Sequence, residues 1–194
     1  MDIIAATRNR KKVAEIARIL DGADVRLHSM DECPGCPEVD EDAPDFRGNA
    51  VKKAVSIMEH TGRAALADDS GLVVDALGGA PGVYSARYAG PGATDALNLE
   101  KLLRELGGVP PEQRTARFVC VMALAIPGRK VMTFEGTVEG RIGIGPRGEN
   151  GFGYDPVFYP EGHSRTFAEM TAAEKDSMSH RGRALDALKR HLLN

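Results

Sequence analysis

Little in this sequence marks a membrane, secreted or nucleic-acid-binding protein. No apolar run approaches the ~20 residues of a membrane span, so no membrane partner is expected. The net charge is only −3 over 194 residues, and no broad basic face offers itself to nucleic acid. An anionic ligand must therefore be met by individual Lys and Arg side chains. Met1 leads straight into strand-like sequence, without the basic segment and apolar core of a signal peptide; the expectation is a cytoplasmic protein. Cysteine is scarce: Cys33, Cys36 and Cys120 are three in all, too few and too odd for a disulfide framework. The CPGC stretch at 33–36 has CxxC spacing. A zinc site needs about two more ligands, and His28 and Cys120 form no second pair. A redox site wants the motif to open a helix, whereas Pro37 and an acidic stretch follow. An ordinary reduced turn is the reading.

What the chain does have is a core. With 42% hydrophobic residues it is expected to form one domain over 1–194, with room for two lobes. Residues 2–7 read as a short buried strand, and Val13, Ile16, Ala17 and Leu20 then fall at helical spacing. Residues 25–29 suit another strand. The stretch 31–45, with seven acidic residues, is a loop. A helix over about 46–60 carries Ala50, Ala54, Ile57 and Met58, and residues 64–67 form a strand. Thr94 is placed to cap a helix bearing Leu99, Leu102, Leu103 and Leu106. The run ARFVCVMALAI, 116–126, reads as a central strand, and Met132, Phe134 and Val138 alternate as in a half-solvated one. Residues 143–156 form a glycine-rich loop. Thr171 and Glu174 have capping-box spacing, and Leu185, Leu188 and Leu192 stripe a final helix. The predicted class is α/β, a mixed central sheet flanked by helices.

Four stretches carry candidate chemistry. ATRNRKK, 6–12, is a strand-to-helix turn whose free N–H groups suit phosphate, with Thr7, Asn9 and Lys12 as added contacts; the alternative is an Asn cap before a solvated basic face. In LADDSGL, 66–72, Asp68 and Asp69 end a strand where α/β sheets bind ligands. Neighbouring carboxylates need a positive partner, and with Asp40 and Glu41 they offer hard oxygen ligands of the kind Mg²⁺ takes. NGFGYDP, 150–156, lets Phe152 or Tyr154 stack on a planar base, or is simply a packed loop. EKDSMSHRGRAL, 174–185, brings Lys175, His180 and Arg181 near a helix start, as donors or as solvent-facing charge.

In this order, T-x-N-x-x-K, ADDSGL, LGGAPGVYSARYAG, FGYDPVF and EKDSMSHRGRAL resemble the inosine triphosphate pyrophosphatase family across essentially the whole chain. The resemblance implies a homodimer of two-lobed subunits with a deep cleft. It implies Mg²⁺-dependent hydrolysis of deaminated purine nucleoside triphosphates (ITP, dITP, XTP) to monophosphate and pyrophosphate, which cleanses the nucleotide pool. It assigns phosphate contacts to Thr7, Arg8, Asn9, Arg10, Lys11, Lys12 and Lys53, catalysis to Asp69 and a substrate contact to Ser70. Base and sugar fall to Phe152, Gly153, Tyr154, Asp155, Lys175, His180 and Arg181. Metal ligation falls to Asp69 with Asp40, Glu41 and Asp68 as further candidates. Arg181, as a fixed donor, is expected to favour a 6-keto purine over adenine. Two departures stand out: Gly48 occupies a position where Glu is common, and Asp40 stands where Glu is commoner.

Overall fold

The structure is a computed structural model, described here for residues 1–193. The strands are β1 (Asp2–Ala5), β2 (Arg26–Ser29), β3 (Ala64–Val74), β4 (Thr115–Ala125), β5 (Met132–Ile142) and β6 (Phe158–Pro160). The helices are α1 (Arg10–Ile19), α2 (Phe46–Thr61), α3 (Asp95–Glu105), α4 (Ala172–Met178) and α5 (His180–Leu193). The strands form one mixed sheet in the order β2-β1-β3-β4-β5-β6. β1 runs parallel to β2 and to β3, with Ile4 opposite His28 and Ala65. β5 and β6 are antiparallel, with Arg141 opposite Tyr159.

The chain divides into two compact units: Met1–Asp69, Cys120–Gly136 and the segment from Arg181 on make the first, and Ser70–Val119 with Thr137–His180 the second. In the first unit the sheet is covered on both faces, which is why residues 64–67 of β3 and 120–125 of β4 read as apolar runs. Alternation sorts their side chains. Ile3, Leu66, Cys120, Met122 and Leu124 pack with Ile16 and Leu20 of α1 and with Leu185 and Leu188 of α5. Ile4, Ala65, Ala67, Val121 and Ala123 pack with Ala50, Ala54 and Ile57 of α2. In the second unit Leu102 and Leu106 of α3 join Phe118, Phe158 and Phe167.

Local signals set the helix ends. Asn9 caps α1, Thr94 caps α3, and Thr171 with Glu174 makes the capping box of α4. Asp45 caps α2, which stops at Gly62 in the left-handed region (φ 66°), a conformation that suits glycine.

Two expectations are corrected. β3 does not stop at Ala67 but continues to Val74, so the adjacent carboxylates sit inside a strand. It can continue because each one finds its own cation, as described below. On α1 Ala17 is exposed and Glu15 is buried instead, because Glu15 has an inward partner in Arg181.

Candidate active site

The geometry follows from the two-residue period of β3. Even positions 64, 66 and 68 face α1 and α5, while odd positions 65, 67 and 69 face α2. Adjacent carboxylates therefore enter different surroundings.

On the first face Asp68, 1% exposed, accepts from Lys12 Nζ at 2.9 Å and from Arg181 Nη2 at 2.9 Å. Arg181 also donates through Nη1 to Glu15 Oε2 at 2.5 Å. The result is a series of alternating charge, with Glu15, Arg181 and Asp68 buried and Lys12 part-exposed at its end. Burial alone would raise the pKa of Asp68, but Lys12 and Arg181 outweigh it and hold the carboxyl well below the usual range. Burial likewise disfavours the charged guanidinium of Arg181, and Asp68 overrides it.

On the second face Asp69, 4% exposed, accepts from Asn49 Nδ2 at 3.0 Å and lies 3.7 Å from Lys53 Nζ. Lys53 also bonds Glu41 of the acidic loop. Burial pushes the pKa of Asp69 up; Lys53 opposes this and Glu41 reinforces it, leaving the group raised. A buried carboxyl with raised proton affinity is suited to moving a proton.

The turn ahead of α1 is closed on itself. Asn9 Oδ1 accepts from the N–H groups of Lys11 and Lys12, Thr7 Oγ1 accepts from Asn9 N, and Arg8 Nη2 donates to Cys36 O at 3.1 Å. Arg10 is exposed, 4.0 Å from Asp31.

The second unit holds another constellation. Lys175 Nζ donates to Asp155 Oδ2 at 2.7 Å and lies 4.8 Å from the Phe152 ring centre. The same Asp155 oxygen accepts from Phe152 N, and Gly153 N donates to Asp95 Oδ2, both at 2.9 Å. Tyr154 donates to Ser85 O, and His180 is stacked on Phe118 at 4.7 Å. The aromatic loop is thus pinned by the backbone carbonyl at 85 and the side chains at 95 and 175. Ser70, half-buried, is the first residue of this unit.

A profile of the Ham1 family matches residues 3–191. The chain belongs to the Ham1 family. Among curated Ham1-like relatives, the dITP/XTP pyrophosphatase of Geobacter sulfurreducens is 54% identical over 98% of this chain and 96% of its own length. That of Geobacillus kaustophilus is 52% identical over 96% and 92%. The solved structure of a HAM1 protein from Coxiella burnetii superposes with a TM-score of 0.91 at 42% identity, covering 100% of this chain and 98% of that one. A nucleoside-triphosphatase / dITP/XTP pyrophosphatase from Mycobacterium abscessus gives 0.79 at 49%, covering 97% and 98%. Family and mixed α/β fold agree with the resemblance read from the motifs.

For this Ham1-family chain the structure gathers Lys12, Asp68 and Arg181 in one set, Glu41, Lys53 and Asp69 in a second, and Phe152, Asp155 and Lys175 in a third. Asp40 is exposed. Among the described residues no three His, Cys, Asp or Glu side chains group as a ready-made metal cage. Mg²⁺ asks for less, one or two carboxylates completed by water and phosphate. Glu41 and Asp69, which share one ammonium, fit that demand as hard donors drawn to a common cation. Asp68, already between two cations, is the least suited of the four candidates. Arg181 is spoken for by Glu15 and Asp68, so its orientation is fixed from within the first unit. The three thiols are reduced, and burial pushes the Cys120 pKa up to about 12.

Two residues of these sets escaped the sequence reading. Glu15 sits on a helix otherwise read as Lys/Arg-rich, and nothing in its spacing marks it as buried. Asn49 lies between Gly48 and Ala50 in the first turn of α2, where an amide carries no periodic signal.

Proposed function

We propose that this chain hydrolyses deaminated purine nucleoside triphosphates (ITP, dITP and XTP) to the monophosphate and pyrophosphate, with Mg²⁺, and so cleanses the nucleotide pool. It is a nucleoside triphosphate pyrophosphatase, a hydrolase of acid anhydrides, as its relatives are named. The observation that carries the mechanism is Asp69: a buried carboxyl of raised proton affinity, oriented by Asn49 and flanked by Lys53 and Glu41.

Water attacking a polyanionic triphosphate is opposed by charge, so catalysis rests on positioning and electrostatics. Lys12 and Lys53 neutralise phosphoryl oxygens, with the turn from Thr7 to Lys12 as the phosphate seat. Mg²⁺, held by Asp69 and Glu41 with Asp40 as the alternative, supplies further neutralisation when bound. Asp69 orients the attacking water and accepts its proton. Ser70 contacts the substrate. Phe152 to Asp155, Lys175, His180 and Arg181 hold base and sugar, and fixed donors there favour a 6-keto purine, since adenine would set donor against donor. The reading extends to a cytoplasmic homodimer, which sedimentation tests directly.

The deciding experiment is pyrophosphate release from ITP, dITP, XTP, ATP, GTP and a modified pyrimidine nucleoside triphosphate, each with Mg²⁺ and with EDTA. Release confined to the deaminated purines and abolished by EDTA is expected. Release from modified pyrimidine nucleotides instead would reassign the substrate, and ITP binding without release would make the chain a nucleotide-binding module.

A further inference from the structure

The acidic loop is fastened to the first turn of α2. Asp45 Oδ1 accepts from Gly48 N at 2.7 Å, and Ala43 N donates to Asn49 Oδ1 at 2.9 Å. Asn49 is fully buried, and its other end, Nδ2, donates to Asp69 Oδ2 at 3.0 Å. The amide cannot be reversed: Ala43 N–H can only donate and an ionised carboxylate can only accept. Helix α2 does not need this side chain, because Asp45 already caps it. Gly48 supplies the room. A Cβ there would lie 2.7 Å from Ala43 Cβ and 3.2 Å from Asp45 Oδ1, so a side chain at 48 requires the loop at Ala43 to shift from this position.

We propose that Gly48 and Asn49 form a latch. Gly48 lets the loop lie against α2, and Asn49 is a positioning residue that binds the loop with its oxygen and Asp69 with its nitrogen. Glu41 and Asp69 thereby converge on Lys53 from two separate elements. The chemical meaning of that convergence rests on the functional reading above; the latch itself does not. Its two ends are separable. Aspartate at 49 keeps an acceptor for Ala43 N but has no donor for Asp69, and alanine has neither.

The test compares Asn49→Asp, Asn49→Ala and Gly48→Ala with the wild type. Amide exchange at Ala43 is followed by NMR without metal or nucleotide, and kcat, KM for ITP and half-saturating Mg²⁺ are measured separately. In Asn49→Ala, exchange at Ala43 is expected to speed up by about tenfold or more. Half-saturating Mg²⁺ should rise by about 10–100-fold, with KM for ITP little moved. In Asn49→Asp, Ala43 stays protected while kcat falls by about 10²-fold. In Gly48→Ala exchange at Ala43 quickens by more than the accompanying change in the unfolding midpoint accounts for, which separates local release of the loop from a simple loss of stability. Should Asn49→Ala fail to fold, the other two variants carry the test. Unchanged exchange at Ala43 in Gly48→Ala, or an Asn49→Asp enzyme turning over like the wild type, overturns the latch. A wild type that releases no pyrophosphate from any nucleotide overturns the functional reading instead, and the exchange data then judge the latch alone.

Discussion

Asp68 and Asp69 are chemically identical, adjacent in sequence and almost equally buried, yet the two faces of β3 turn them into opposite things. Facing α1 and α5, Asp68 accepts from two cations and its pKa is pulled down. Facing α2, Asp69 has an amide, a more distant ammonium and a second carboxylate near that ammonium, and its pKa is pushed up. The first is a strut that orients Lys12 and Arg181; the second is kept reactive. Side-chain parity, rather than residue type, makes the distinction.

The largest effect that would break this contrast is on turnover. Asp69→Asn is expected to lower kcat by about 10³–10⁴-fold while ITP still binds, measured by pyrophosphate release and calorimetry; near-normal kcat would sink the assignment. Next is stability. Asp68→Asn takes the shared carboxylate away from the buried Arg181 and the part-exposed Lys12, and is expected to cost about 3–5 kcal/mol in chemical unfolding at neutral pH. A loss within experimental error would mean that Lys12 and Arg181 find other partners.

The pH dependence sharpens the contrast by its sign. Asp68 is depressed in the folded state, so its stabilisation is present above its unfolded value of about 3.9 and is lost as pH falls through the folded one. Asp69 is raised, so its contribution is complete below that unfolded value and is lost as pH rises through the folded one. In EDTA at neutral pH, Asp69→Asn should therefore raise the unfolding midpoint where Asp68→Asn lowers it. Two shifts of the same sign would contradict the assigned environments.

The smallest effect lies at the rim of the first unit. His28 is bonded through Nε2 to Asp2 at 2.8 Å and through Nδ1 to Glu32 at 3.0 Å, and these bonds, Asp2 first, raise its pKa. Its stabilisation is full below the unfolded value of about 6.5 and fades as pH rises through the folded one. His28→Gln should thus show a small deficit in unfolding midpoint at acidic pH that closes on the alkaline side; a deficit independent of pH would trace to packing instead.

Much of this was legible from residues. The cap at Asn9, the cap at Thr94, the box at Thr171 and the long apolar run of β4 are local signals, and local signals fix local structure. The order of the motifs identified the family. The partners could not be read, because a counter-ion is chosen by the fold. Nothing near Asp68 in sequence names Arg181, and a burial pattern that counts only apolar residues hides Glu15 and Asn49. The same blindness ended β3 too early: two carboxylates look like a strand's end until each is given a cation on its own side.

The layer between β3 and α2 is largely alanine: Ala50 and Ala54 on the helix, Ala65, Ala67, Ala123 and Ala125 on the strands. Single methyl groups act there as shims. They set the height at which α2 rides above the sheet, and with it the reach of Asn49 and Lys53 down to Asp69. Close-packed interiors do not absorb extra volume without moving backbone. One added branch at Ala65 or Ala54 would lift the whole helix and detune chemistry it never touches.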